Sequence, residues 1–462
     1  MKLKFFDKFF GDKSFYKNVL TLSVPIFIQN GITASVSMLD NIMIGSLGTE
    51  AMSGVSIANQ LFFIFNMIIF GALAAVGIFT SQFHGAKDEE GVRYTFRIKT
   101  YINLLLTAVT VIVLALFGSE AIRAFLHPDG SGSDLELTFN HGMDYMVISL
   151  IGLFPYAMSQ VYASTLRESE ETKLPMWSGF VAISVNFILN ILLIFGNLGF
   201  PELGVKGAAI ATVISRFAEL FFLVIAVHMR REKYAFIIGV FASFAVPVSL
   251  FKQVIIKGCP LLLNEILWST AMWVKNLCLS SSGIESVAAL SIQTTVFNVL
   301  NISYIAVCAS IAVILGNMLG GGKIDEARKD GTRLITFAFL VGVIFMIVDI
   351  ALSPLFPLLY NTGDQAKELA TYMLIISGLA MPLYSAVMAC YYTLRSGGLT
   401  LITLLYDCVW AWGVTTVSAL VFTYLIPIGI RELFAVVTFA EAAKIIPGII
   451  LVSKIKWANK IT

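Results

Sequence analysis

The chain has 462 residues, is 58% hydrophobic and only 13% charged, and carries a net charge of +2. With a mean hydropathy of +0.85 it holds far more apolar side chain than a water-soluble core can bury, so a soluble fold is excluded. The near-neutral charge balance also gives no bulk attraction to nucleic acid.

Apolar runs of about 20 residues, each long enough for a helix to cross about 30 Å of hydrocarbon, recur along the whole sequence, roughly twelve in number. Stretches such as Leu104 to Phe117 and Leu334 to Ile347 lack the alternation of barrel strands. The expected fold is therefore all-α: a polytopic membrane protein of about twelve transmembrane helices in two pseudo-symmetric six-helix bundles.

In chain order, residues 1–16 come first. They are basic and aromatic, with Phe5, Phe9, Phe10 and Phe15, and lack an apolar core followed by a small-residue cleavage site. They read as an interfacial helix. The first span contains Pro25 and Asn30 and carries Asp40 towards its outer end. A charge at bilayer depth costs at least about 2.5 to 3.5 kcal/mol, so each one needs a partner, a cavity or a function. Asp40 reads as a cleft-lining acid that binds and releases a cation. The second span is rich in small residues (Gly71, Ala72, Ala74, Ala75, Gly77), which permit close helix packing. On the fifth, Asn186 and Asn190 lie one turn apart and share a face. On the sixth, Arg216 and Glu219 form an i, i+3 pair, assigned to structure.

Residues 233–247 read as a linker between an N-terminal lobe, residues 17–232, and a C-terminal lobe with a basic tail, residues 248–462. The seventh span holds Asn264 and Glu265 at mid-depth with Trp268 one turn on. That acid, an amide and an indole face are suited to Na+, H+ or an organic cation. Lys275 lies further along the same span. Asp349 near the end of the ninth span reads as interfacial, Tyr384 falls on the tenth, and Asp407 on the eleventh is a further acid at depth. Glu441 and Lys444 on the twelfth read as a second i, i+3 pair. The five cysteines lie in apolar segments without metal-ligand spacing and read as packing residues.

Most Lys and Arg fall before the first span, in the even-numbered loops and at the C-terminus. Only Arg123, Lys206, Lys367 and Arg431 fall on the opposite side, and Arg216, Lys275 and Lys444 lie within spans. The positive-inside rule therefore puts both termini in the cytoplasm and requires an even number of crossings.

The sequence also repeats itself. Without a gap, Pro25 meets Pro260, Asn41 meets Asn276, Gly48 meets Gly283, Glu50 meets Glu285 and Ser56-Ile57 meets Ser291-Ile292. Thr165-Leu166-Arg167 likewise matches Thr393-Leu394-Arg395. Because about six helices is an even number, the two copies enter the membrane in the same sense, the parallel repeat of transporters that rock one bundle against the other around a midplane site. Under this register Asn30 is the mate of Glu265, and Asp40 the mate of Lys275, so the last two read either as an outer gate or as an acid and a lysine that snorkels to the outer interface.

Pro25, Asp40-Asn-Ile-Met-Ile-Gly45, Leu47-Gly48, the stretch Phe200-Pro201-Glu-Leu-Gly204-Val-Lys-Gly207-Ala-Ala209-Ile-Ala-Thr212 and Leu394-Arg395-Ser-Gly397-Gly398 resemble the multidrug and toxic compound extrusion (MATE) transporters over essentially the whole chain. The resemblance implies twelve helices, cytoplasmic termini, an outward-open cavity and export of amphipathic organic cations in exchange for H+ or Na+. It makes Asp40 the N-lobe acid and relates Glu265 to the seventh-helix acid of the Na+-coupled branch. Where one branch has an aspartate on the fifth helix this sequence has Asn190, and where another has a tenth-helix acid it has Tyr384.

The resulting expectation is a monomeric antiporter of a bacterial inner membrane, not an enzyme, with no cofactor, no structural metal and no nucleic-acid partner. Its partners are the bilayer and small organic cations. The coupling cation, H+ or a Na+ bound at Glu265, is handled by Asp40, Glu265 and Asp407. The substrate cavity is lined by Asn30, Asn186, Asn190, Asn264, Trp268 and Tyr384. The rival reading within the same superfamily is a flippase for lipid-linked oligosaccharides, which needs a basic cavity for phosphate. A membrane-embedded enzyme is disfavoured because His84, His127, His141 and His228 are scattered singly.

Overall fold

The computed structural model describes residues 9–126, 134–243, 245–281, 283–360 and 362–462. The first half of the expected interfacial segment, residues 1–8, and His127 lie outside the described residues. Among those described there is no strand, and twelve helices are long and apolar enough to cross a membrane. They are α1 (Lys13–Gly45), α2 (Thr49–Gly85), α3 (Glu89–Phe125), α4 (Leu135–Glu168), α5 (Lys173–Phe195), α6 (Val205–Met229), α7 (Val248–Ser280), α8 (Ile284–Gly320), α9 (Ile324–Leu352), α10 (Asp364–Ser396), α11 (Thr400–Leu425) and α12 (Ile430–Lys454). The expected all-α membrane architecture is the one observed.

The reason these runs are helices is the solvent they meet. In hydrocarbon every backbone N–H and C=O must find a partner within its own segment, and only the helix provides that without closing a barrel. On α3, Leu105, Ile112, Leu116 and Phe117 are exposed by 66%, 57%, 65% and 61%. A face of that kind suits acyl chains and not water. Pro25, Pro155, Pro260 and Pro382 lie inside continuous helices. Each removes one intrahelical donor and loosens the helix there.

By packing, the chain divides into two compact units. The first comprises Ile28–Thr80 and Asp88–Lys252; the second comprises Met1–Phe27, Ser81–Lys87 and Gln253–Thr462. In the first, Phe96 of α3 is fully buried and meets Tyr162 of α4 edge to face at 5.0 Å between centroids. Gly54 of α2 lets that helix touch α4, since a Cβ there would lie 2.4 Å from the Thr138 carbonyl oxygen.

In the second unit Ile311, Leu315 and Leu319 of α8 pack with Leu334 and Ala338 of α9, Leu394 of α10 and Trp457 of the tail. The end of α2 joins this unit through its own small residues. A Cβ on Gly85 would lie 1.9 Å from the Asn317 carbonyl oxygen, and one on Gly320 would lie 1.8 Å from that of Gln82. Gln82 then holds the tail: its amide donates to the carbonyls of Ser396 (3.0 Å) and Asn459 (3.2 Å), and its side-chain oxygen accepts from the Ile461 N–H (2.8 Å).

Asp349, near the end of α9, is 0% exposed. Its burial is possible because α10 presents Gly378 to it, where a Cβ would come within 3.1 Å of the carboxylate. Glu441 and Lys444 do not pair with each other. The helical run Ile430–Ala442 ends before Lys444 and resumes at Ile445–Lys454, and each side chain pairs elsewhere, Glu441 with Lys275 and Lys444 with Asp407. Pro447 explains the break, because it cannot donate to Ala443 and its ring crowds that carbonyl. The Ala443 carbonyl accepts instead from the Ile446 N–H at 3.0 Å.

Candidate functional site

In the first unit α5 supplies two amides from one face. Asn190 Nδ2 donates to Asp40 Oδ1 of α1 and, at 3.1 Å, to Asn186 Oδ1. Asn186 Nδ2 reaches Thr212 Oγ1 of α6 at 3.4 Å. Asn190 is only 1% exposed, and its own side-chain oxygen has no protein partner. An amide that gives both protons to oxygens and keeps an unused acceptor beside a carboxylate makes a small cluster of oxygens. Such a group of oxygens suits a proton, a metal cation or the N–H of an organic cation.

Deeper polar groups in this unit neutralise one another. Arg216 donates to Glu219 at 3.3 Å, the i, i+3 pairing expected from the sequence, and lies 4.9 Å from the ring centroid of Tyr156. Arg167 Nη1 reaches Gln29 Oε1 at 3.4 Å. Lys99 is 0% exposed and holds Glu168 of α4, with Ser164 (3.2 Å) and Thr165 (3.1 Å) completing its donors. Only Arg216, Lys275 and Lys444 read from the sequence as bases within spans; α3 carries Lys99 into the bundle as well.

The second unit is built around Asn264, the repeat mate of Gln29 and 2% exposed. Its Nδ2 donates to Asp407 Oδ2 of α11 at 2.9 Å and to the Tyr391 hydroxyl of α10 at 3.3 Å, while its Oδ1 accepts from Cys408 Sγ at 3.3 Å. The second oxygen of Asp407 takes the ammonium of Lys444. Lys275, expected opposite Asp40, donates to Glu441 at 3.0 Å within its own unit. Tyr384 donates to the Thr438 carbonyl at 3.0 Å and stands edge-on to Phe297.

Glu265 is partly buried, and no described residue hydrogen-bonds its carboxylate. Asn30, its mate in the first half, is also partly buried, and Trp268 is 38% exposed. Among the described residues no cluster of three or more His, Cys, Asp or Glu is able to hold a metal.

Sequence reasoning did not single out the linker contacts. Arg97 spends its guanidinium on three carbonyls, those of Val240 (2.8 Å), Gly239 (2.9 Å) and Ala245 (3.0 Å). Arg93 adds Phe236 at 3.3 Å. Lys233 and Tyr234 both converge on Glu171 between α4 and α5. Burial pushes the Glu171 carboxyl up, but the bonds from Lys233 and Tyr234 outweigh it and hold it below the usual carboxylate range. The signal was present: a segment without a hydrophobic span faced by two closely spaced arginines.

Fold and site together define a polytopic helical membrane protein built from two copies of a six-span unit, each with its own buried polar cluster. Residues 25–192 and 260–425 match the MatE family model, one match in each half. The chain belongs to the MatE family of multidrug and toxic compound extrusion transporters.

Among similar proteins, the probable multidrug resistance protein NorM of Thermotoga maritima is 24% identical over 72% of this chain and 70% of its own length. The probable multidrug resistance protein YoeA of Bacillus subtilis is 23% identical over 89% of this chain and 88% of its own. A crystal structure of a MATE protein in the bent conformation superposes with a TM-score of 0.85 at 19% identity, covering 95% of both chains. A Pyrococcus furiosus transporter, described as having a binding pocket of reversed polarity, gives 0.79 at 18% identity over 95% of both chains.

Proposed function

We propose that this transporter is a cation-coupled antiporter that exports amphipathic, mostly cationic small molecules across a bacterial cell membrane, both termini being cytoplasmic. The observation that carries this reading is the Asp40 carboxylate held by Asn190 beside an orphan amide oxygen inside a helix bundle. A cation bound there in one state and released in another supplies the differential affinity that an exchange cycle needs. Glu265 is the matching acid of the second half: it is partly buried, and no described residue donates a hydrogen bond to it. Entry of H+ or Na+ at these acids and departure of an organic cation are then alternative occupancies of the same negative charge, and the two halves rock between them. The multidrug resistance names of the NorM and YoeA relatives support the same substrate class.

The flippase alternative needs free cations for phosphate. Lys99, Arg216, Lys275 and Lys444 are each neutralised by a carboxylate, which weighs against it, while the buried Arg395 makes no salt bridge among the described residues. The test is efflux of a fluorescent cationic dye from reconstituted vesicles, comparing an imposed pH gradient with an imposed Na+ gradient. Gradient-driven efflux is the expected result, and efflux indifferent to both gradients overturns the proposal.

A further inference from the structure

The polar clusters of the two halves differ in one respect that bears on the coupling ion. In the first unit Asp40 is met by a neutral amide. In the second, Asp407 is met by an amide and by a cation that belongs to the protein. The side chains of Lys444 and Asp407 are 7% and 12% exposed, so the pair is almost wholly removed from solvent. The lysine is delivered by the break in α12, and the Tyr406 hydroxyl fixes that break by donating to the Lys444 carbonyl at 3.3 Å. The Tyr406 ring also lies 5.0 Å from the ammonium.

We propose that Lys444 is a tethered cation filling a cation site formed by Asp407, Asn264 and Tyr391, so that this site is closed to Na+ and the exchangeable ion is left to Glu265 and Asp40. The inference rests on the antiport reading above and names the residue that sets its ion preference. A desolvated carboxylate demands a compensating positive charge, supplied either from outside or by the chain. Here the chain supplies it.

Without the ammonium, the cluster offers the Asp407 carboxylate and the Tyr391 hydroxyl, hard oxygen donors of the kind an alkali cation takes, both oriented by the Asn264 amide N–H groups. With it, an arriving Na+ meets a like charge at contact range. At an effective dielectric of about 20 that repulsion weakens binding on the order of a hundred- to a thousandfold. Glu265, the neighbour of Asn264 in the chain, has no lysine bonded to it among the described residues; the charge that acts on it is the more distant Arg395.

The experiment is thermal unfolding of the purified full chain in detergent, in NaCl against KCl at equal ionic strength. Lys444→Met keeps the apolar stem and removes the charge. It is expected to gain a Na+-dependent rise of about 3 °C or more in the midpoint, which Asp407→Asn in the same background removes. A folded, monodisperse Lys444→Met with only the wild-type Na+ response overturns the proposal. If Lys444→Met does not accumulate as folded protein, Asp407→Asn alone decides: an unchanged Na+ response supports a site already filled, and loss of a wild-type Na+ response overturns it. The readout is ion binding, so absence of export by the wild type counts against the antiport reading and leaves this proposal standing.

Discussion

Asn190 gives one amide to both Asp40 and Asn186 and keeps a buried side-chain oxygen with no partner. The acid is thus oriented by a neutral group and not discharged by a cation, and this distinguishes it from Asp407. A hydrogen bond to a carboxylate contributes about 1.5 to 3 kcal/mol. Asn190→Ala is therefore expected to slow export by on the order of tenfold or more, with the amount of folded protein unchanged. Initial dye-efflux rates normalised to reconstituted protein check this, and a rate equal to wild type contradicts it.

Lys275 and Glu441 form a partly buried pair, each side chain 20% exposed. Removing either partner is expected to lower stability by about 1 kcal/mol, and removing both should cost less than the sum of the two. A double-mutant cycle with Lys275→Met and Glu441→Gln, read by thermal unfolding, measures the coupling. Strict additivity means that the two groups do not pair in the protein.

Arg97 ties the linker to the first unit through three carbonyls. Arg97→Ala is expected to expose Arg230 to Lys233 and the residues that follow to trypsin, giving faster cleavage there than in wild type. The Glu171 contact adds a pH dependence. Its carboxyl is held below the ordinary carboxylate range. The contact therefore stabilises the folded linker fully above the unfolded carboxylate value, and the contribution is lost as pH falls through the depressed folded one. Hydrogen exchange of residues 233–243 is expected to quicken below that point, and Glu171→Gln should show the quicker exchange already at neutral pH.

Gly320 and Gly85 mark the closest approach of α2 and α8. A methyl group at Gly320 collides with a backbone carbonyl and not with a flexible side chain, so relief requires the helices to separate. Gly320→Ala should lower the unfolding midpoint by several degrees, roughly the effect of 1 to 3 kcal/mol in a chain of this size. Gly322→Ala tests a different cause, since nothing lies within 4 Å of it but its φ is +77°; its cost is backbone strain alone, and it should be the milder variant.

The spans were legible because hydrocarbon leaves one solution for a long apolar run, and the repeat was legible because Pro25 and Pro260, Gly48 and Gly283 occupy equivalent turns. The acids at depth were visible as charges where none is cheap. Their partners were not, because these are set by side chains far apart in sequence: Asp407 with Lys444, Lys275 with Glu441, Asp349 under Gly378. One of these had a local sign. Pro447 forbids a continuous helix at Ala443, and counting i, i+3 across that break produced the mistaken pairing of Glu441 with Lys444. Lys99 was missed because hydropathy marks where a helix meets lipid and not where it ends, and α3 runs well beyond the apolar stretch.

The central claim is that exchange of a cation at Asp40 and Glu265 drives export. The most direct measurement is gradient-driven dye efflux from vesicles containing equal amounts of folded wild type, Asp40→Asn or Glu265→Gln. The account predicts efflux from the wild type and loss of the gradient-dependent part in both variants. Gradient-dependent efflux at the wild-type rate from either one contradicts it.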